Sequence, residues 1–415
     1  MTVDKKYILT KYACYVNNMS LAMVANLSPL LFMTFRRLYG ISYSLLGLLV
    51  LVNFVTQLAV DLVLSFFSHR INVTAIVRSM PLVSMIGIAV YSVPSLISPS
   101  LAYPSIFVGT IIFSAAAGMA EVLTSPVIAA IPTENPEREM SKLHSVYAWA
   151  IVGVVIVSTL FLYFAGDDKW QYLALLMMLI PLAAAVMFAR ATLPPMNMSG
   201  KVAKATGCLR NKQVMLCVLA IFLSGASECT MAQWSSGYIE SALGLPKIYG
   251  DIFGVAMFGI MMGIARSWYS KKGKNVYPVL FFGFAGAIVC YVVAALSGNA
   301  IVGLIACMLT GFCTGMLWPG SLMMLADLVP TAGVAAYALM ASGGDLGAAL
   351  APQLVGLIAD GASVSARLTE YATSIGLTPD QLGMRIGILV TALFSVVGTG
   401  LIVGMWRGRK KEKDL

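Results

Sequence analysis

Charge is what this chain lacks. Only 11% of its 415 residues are Asp, Glu, Lys or Arg, whereas 59% are hydrophobic and the mean hydropathy is +0.86. No water-soluble domain hides that much apolar surface, so lipid must be the solvent. Histidine is scarcer still, and His69 and His144 are too few to build a metal site with the cysteines. The seven cysteines have neither metal-ligand spacing nor the spacing of a disulfide framework; Cys208 falls in a polar stretch and the other six in apolar runs. A phosphate-cradling Gly-rich loop and a nucleophile triad are also missing, which argues against both ATP-driven transport and catalysis. No cofactor is expected. The first apolar run is followed by no small-residue cleavage site, so it reads as a full span and not as a removable signal peptide.

What is present is a series of twelve apolar runs, at 8–34, 43–66, 74–98, 105–131, 143–165, 170–189, 214–239, 248–269, 276–297, 300–326, 331–360 and 381–406. Crossing about 30 Å of hydrocarbon takes roughly 20 residues of helix, and each run supplies about that many. An open sheet would leave backbone groups unpaired in lipid, so all twelve are predicted to be helices. The last six replay the first six. Run four carries Gly118-Met119, Pro126 and Pro132-Thr133; run ten carries Gly315-Met316, Trp318-Pro319 and Pro330-Thr331. The next run in each half opens with Tyr-Ala, at Tyr147-Ala148 and Tyr337-Ala338. The expected fold is therefore all-α: twelve transmembrane helices in two six-helix, pseudo-symmetric bundles.

The stretch 190–213, with Pro194-Pro195, Lys201, Lys204, Arg210 and Lys212, reads as a basic linker between a bundle at 1–189 and one at 214–415 that ends in a short charged tail. Residues 363–374 are expected to form a short surface helix. Thr378-Pro379 has the pattern of an N-cap followed by proline in the first helical turn.

The basic residues orient the chain. Of the 27 Lys and Arg, six fall on one face: Arg36, Arg37, Lys169, Lys247, Arg367 and Arg385. The other 21, Arg266 and the Arg407-Gly-Arg-Lys-Lys tail among them, fall on the face that holds the N-terminus. The positive-inside rule then places both termini in the cytoplasm and the chain in the cytoplasmic (inner) membrane. The net charge of +9 implies adhesion to anionic headgroups, and no nucleic acid is expected as a partner. The expected state is a monomer whose partners are membrane lipids, a small solute and protons.

An ionised side chain in mid-membrane costs about 2.5–3.5 kcal/mol on insertion, so acids inside spans need a reason. Four qualify as proton-coupling candidates: Glu121 in helix four, Glu228 in helix seven, Asp61 in helix two and Asp345 beside Gly343-Gly344 in helix eleven. Asp61 lies four residues after Gln57 and shares its face. Burial favours the neutral acid, and a group that binds a proton on one side and releases it on the other is the minimum for coupling. The plain alternative for each is an acid locked by interhelical hydrogen bonds, and for Asp61 and Asp345 that reading leads. Asp251 and Asp327 sit at span ends and are expected to be solvated.

Uncharged polar residues mark the candidate substrate site: Asn17, Asn18, Gln57, Gln233, Trp234 and Trp318, together with Glu121 and Glu228. Amides and carboxylates offer both donors and acceptors, which suits a polyhydroxylated ligand, and an indole offers an apolar platform for a sugar ring. The alternative for Trp234 is an outer interfacial belt residue, which Tyr238 one turn on also fits. The glycines and alanines from Gly343 to Gly356 read as a small-residue face for close helix packing.

Two copies, short loops and a basic central linker resemble the major facilitator superfamily over the whole chain. That superfamily has a Gly-x-x-x-Asp-Arg-x-Gly loop after helix two; the aligned residues here are Ser65, His69, Arg70 and Asn72, so only the arginine is retained. The helix-five Gly-Pro signature of drug/proton antiporters is absent, because Ala148 to Thr159 contains no proline, and helix four lacks that group's intramembrane arginine. Glu121-Val-Leu-Thr-Ser-Pro126, the Asn17-Asn18 pair and the stretch from Gly344-Asp345-Leu-Gly347 to Pro352-Gln353-Leu-Val-Gly356 are similar to the fucose permease group of sugar:proton symporters. Leu21 stands where those relatives place an aspartate. The resemblance implies a cavity lined by helices one, four, seven and ten, on which Asn18, Glu121, Gln233 and Trp318 would converge.

The reading that follows is a secondary transporter, not an enzyme, moving a small polar, sugar-like solute by alternating access with proton coupling. Within the same class the alternative is an uncoupled facilitator or an exporter of amphipathic compounds. From another class it is a membrane receptor or scaffold that does not transport.

Overall fold

Twelve helical segments of the computed structural model are long and apolar enough to cross a membrane. The structure describes residues 5–67, 72–133, 136–195, 209–273, 275–329 and 334–413. His69, Arg70, Lys201, Lys204, Cys208, Lys274, Pro330 and Thr331 lie outside the described residues, and with them most of the helix-two loop and of the linker. The spans are α1 (Ile8–Tyr39), α2 (Tyr43–Phe67), α3 (Val73–Ile97), α4 (Ala102–Ala129), α5 (Pro136–Ala165), α6 (Trp170–Met177 and Leu179–Arg190) and α7 (Lys212–Ser241). There follow α8 (Lys247–Tyr249, a π-helical Gly250–Ala256, and Met257–Lys272), α9 (Val276–Leu296), α10 (Ala300–Thr314 and Leu317–Leu328), α11 (Val334–Val364) and α12 (Pro379–Lys413). No strand occurs among the described residues.

Local chemistry explains the helix ends and breaks. α1 stops at Gly40, whose φ of 65° is the left-handed conformation glycine adopts without strain, and whose N–H closes on Arg36 O at 3.0 Å. Asn72, Asn211, Asn275 and Asn299 cap α3, α7, α9 and α10 through their side-chain oxygens. At α12, Thr378 Oγ1 accepts from Gln381 N (3.2 Å) while Gln381 Oε1 accepts from Thr378 N (2.9 Å), a reciprocal capping box around Pro379. The short surface helix is Ala366–Ser374. Breaks within spans follow proline. Pro181 cannot donate to Met177 O, and α6 turns at Met178. Pro319 cannot donate to Gly315 O, and α10 turns at Gly315-Met316.

The chain forms two compact units, one of residues 1–40 and 52–201, the other of residues 41–51 and 202–415. The division at 201/202 falls inside the basic stretch 190–213. In the first unit Cys14, Leu64, Val77, Ala120, Leu123 and Phe188 belong to one buried core. In the second, Ile221, Tyr277, Leu280, Phe284, Leu317 and Met340 share another. The start of α2 is built into the second unit: both Asp360 carboxylate oxygens accept backbone N–H groups, from Tyr43 (3.0 Å) and Ser44 (2.7 Å). The Tyr43 hydroxyl meets Ser241 Oγ at 2.7 Å.

The small-residue face of α11 lies against α7. A Cβ at Gly347 would overlap the Phe222 carbonyl oxygen, and one at Gly225 would overlap that of Gly344. These close approaches are the packing expected of the Gly343–Gly356 stretch.

Two expectations about span ends change. Asp251 is buried, not solvated: Lys247, one turn earlier, binds both its carboxylate oxygens (2.9 and 2.8 Å), and Ser236 Oγ donates to it. The charge enters the protein because its counter-ion comes with it. Trp234 and Tyr238 are fully buried, not interfacial, because each spends its donor on a helix carbonyl: Trp234 Nε1 on Pro352 O and Tyr238 Oη on Ala294 O, both at 2.8 Å. Asp327 is exposed as expected, and accepts from Tyr277 Oη (3.1 Å) and Arg409.

Candidate functional site

In the first unit a polar ladder joins α2 to α4. Ser114 Oγ donates to Asn53 Oδ1 at 2.6 Å. One turn on, α4 presents Gly118, where a Cβ would sit 3.1 Å from the Gln57 Cα and backbone oxygen. One turn further, Asp61 lies within the electrostatic reach of Glu121. The steps of four residues along α2 and of four and three along α4 each advance about 4.5–6 Å, so the helices run in parallel and in register. Gly118 allows the two backbones to approach.

Glu121 is exposed at mid-span. It points away from the apolar exposed stripe of Val108 and Ile111, by roughly a quarter turn or more at 100° per residue. Asp61 is half-buried, and its Oδ1 is fully enclosed with no hydrogen-bond partner. Among the described residues no cation acts on either carboxyl.

The amide pair of α1 divides its roles. Asn18 Nδ2 donates to Leu143 O at 2.9 Å and ties α1 to α5. Asn17 Nδ2 has no partner, and the residue lines a crevice with Ser20, Met80, Ser84 and Ala120, of which about 10 Å³ is open to a water centre. That is the room one water needs. Gln57 is buried, and among the described residues its Nε2 reaches only Asn53 O, at 3.5 Å.

The second unit has its own acid cluster. Glu228 on α7 is half-buried, with Oε1 3.6 Å from an Arg266 guanidinium nitrogen and Oε2 enclosed without a hydrogen bond. Arg266 Nε donates to Gly315 O at 2.8 Å, the carbonyl that Pro319 leaves free. Cys229 lies within electrostatic reach of both Glu228 and Asp345, which draws the two acids into one region. Asp345 is buried. Trp318 is half-buried, its six-membered ring wedged against the glycine backbones of Gly225 and Gly344. Gln233 is buried at 8% exposure, and Trp234 offers no surface to a solute.

The structure thus brings Gln57, Asp61 and Glu121 together, and separately Glu228, Asp345 and Trp318. Asn53, Ser114, Arg266 and Asp360 were missed by the reading of the sequence. Asn53 had a signal, since Asn53, Gln57 and Asp61 recur every four residues on one face. Arg266 had none, because in sequence it merges with the basic residues that follow α8. Among the described residues no cluster of three or more His, Cys, Asp or Glu could hold a metal ion.

Twelve spanning helices with acid-bearing polar faces define a multi-pass α-helical membrane protein. The sequence matches the Major Facilitator Superfamily over residues 14–352, and the chain belongs to that family. No curated protein matches it. Solved structures share the fold at low identity. A bacterial homologue of the human lysosomal transporter Spinster, in an inward-facing and occupied conformation, superposes with TM-score 0.75 at 12% identity, over 97% of this chain and 98% of that one. A D-xylose-proton symporter gives TM-score 0.69 at 14% identity, over 93% and 96%. The E. coli fucose:proton symporter gives 0.56 at 15% identity, over 95% and 99%. The protein is a transporter of this superfamily and not an enzyme.

Proposed function

We propose that the chain carries a small, polar, sugar-like solute across the cytoplasmic membrane by alternating access, coupled to protons through Glu121. The observation that carries this reading is an exposed carboxyl at mid-span, set beside a second acid, with no cation among the described residues to neutralise either. A carboxylate without a counter-ion is costly in a membrane, whereas the same group carrying a proton is not. Proton uptake and release is therefore the low-energy use of this position. The names of the xylose and fucose symporters support a sugar-like solute, as do the amides Asn17 and Gln57 in the first unit and Gln233, five residues after Glu228, in the second. Trp318 supplies an aromatic surface in the second unit. Both termini lie in the cytoplasm on the strength of the basic-residue asymmetry, and the working unit is a monomer.

The test is uptake of radiolabelled neutral monosaccharides into proteoliposomes with an acidic exterior. Uphill accumulation that a protonophore abolishes is expected, and Glu121→Gln should remove accumulation while retaining exchange, since glutamine keeps hydrogen bonds but cannot ionise. Uptake indifferent to the pH gradient would leave the uncoupled facilitator in its place.

A further inference from the structure

We infer that Asp61 and Glu121 act as one proton-holding pair, so that between them they carry a single exchangeable proton. The inference rests on the proton-coupled reading above and deepens it, because Asp61 is assigned a role that a lone Glu121 would not need.

The geometry begins with the ladder. The Asn53–Ser114 hydrogen bond of 2.6 Å and the close approach at Gly118, where a Cβ would lie 3.1 Å from the Gln57 Cα, fix the register of α2 on α4, and the next rung sets position 61 beside position 121. Asn53 and Ser114 satisfy each other. The rung of two acids cannot do so while both are ionised, because two carboxylates are acceptors only and repel. With one proton present, the protonated acid becomes a donor and the ionised one its acceptor. Asp61 Oδ1, enclosed and without a partner, is the atom left needing that donor.

Among the described residues, neighbouring elements do not supply an alternative charge. On α1, Lys11 and Tyr15 are engaged by Glu139 of α5, as is Lys142. On α3, the Arg78 guanidinium is turned to Ala191 O at 3.5 Å. Cys14 of α1 belongs to the core that also holds Leu64, Ala120 and Leu123. The His144 side chain lies outside the described residues. Glu121 is the more exposed member and Asp61 Oδ1 is enclosed, so a proton arriving at Glu121 can be held by the pair.

The pair behaves as a coupled titration, in which each group's protonation depends on the other's charge. Dicyclohexylcarbodiimide, which modifies protonated carboxyls in apolar surroundings, reads this directly when its adducts are mapped by mass spectrometry as a function of pH. The purified full-length protein is used and no solute is needed. In Asp61→Asn the labelling curve of Glu121 should move to lower pH by about one unit or more, because the neighbouring negative charge that retains the proton is gone. Asp61→Glu should keep the wild-type curve, which separates charge from packing. Curves of Glu121 that coincide in wild type and Asp61→Asn, with both proteins melting normally, would overturn the pair. If uptake proves independent of protons while the shift is present, the transport reading fails and the pair stands.

Discussion

Arg266 Nε donates to the carbonyl of Gly315, 2.8 Å away, a carbonyl that is free only because Pro319 has no N–H to return to it. The proline that breaks α10 creates an acceptor, and the arginine of α8 fills it. The same guanidinium reaches Glu228 at 3.6 Å, so one side chain connects a broken helix to an embedded acid.

Removing that side chain should be costly. Arg266→Ala loses a charged hydrogen bond to a carbonyl and is expected to destabilise the protein by about 1.5–3 kcal/mol, measured by unfolding in detergent. Pro319→Ala restores an N–H within reach of Gly315 O. A double-mutant cycle should therefore show a smaller penalty for Arg266→Ala in the Pro319→Ala background. Equal penalties in both backgrounds would mean that the carbonyl contact contributes nothing.

Asp360 completes the cap at the start of α2: Ser42 Oγ accepts from Leu45 N at 3.3 Å, and the Asp360 carboxylate accepts from Tyr43 N and Ser44 N. Asp360→Ala should lower stability by about 0.5–2 kcal/mol, the range for loss of an N-cap. Asp360→Asn keeps a capping oxygen and should fall between. The check is the order of the three melting temperatures.

Close packing of α7 on α11 predicts a sharp contrast between two glycines on one helix. Gly347→Ala drives a methyl group into the Phe222 carbonyl and should cost about 1–3 kcal/mol by overpacking. Gly361→Ala meets nothing within 4 Å and should be neutral or stabilising. Thermal unfolding of the two variants side by side decides the point.

Glu139 predicts a pH dependence. Burial by itself pushes its carboxyl up, but Lys142 (2.6 Å), Tyr15 (3.0 Å) and Lys11 (3.4 Å) outweigh burial and hold it below its ordinary value. A carboxyl lowered on folding adds stability above the unfolded carboxyl's value of about 4.3, and loses it as pH falls through the folded value. Wild type should therefore exceed Glu139→Gln in stability near neutral pH, and the gap should close on the acid side. A gap that is constant with pH would show that the ion cluster is idle.

The sequence by itself determined that this is a twelve-helix membrane protein, because backbone satisfaction in lipid leaves a 20-residue apolar run no other form. Of the helix ends, the one read from the sequence was Thr378-Pro379; Gly40, Asn72, Asn211, Asn275 and Asn299 act just as locally, through their own side chains or backbone freedom, but are evident only in the structure. The sequence also marked Glu121, Asp61 and Gln57 as polar where lipid was expected. Only the tertiary structure decided which of these meet. The Asn53–Ser114 contact spans 61 residues and Arg266–Gly315 spans 49, and neither follows from periodicity, since a helix face says nothing about which helix it faces. The same holds for Asp251, which sequence placed near water, and for Trp234 and Tyr238, for which an interfacial place was the alternative reading. Each is buried because a carbonyl or a lysine at short range takes up its polar atoms, and that supply exists only once the helices have packed.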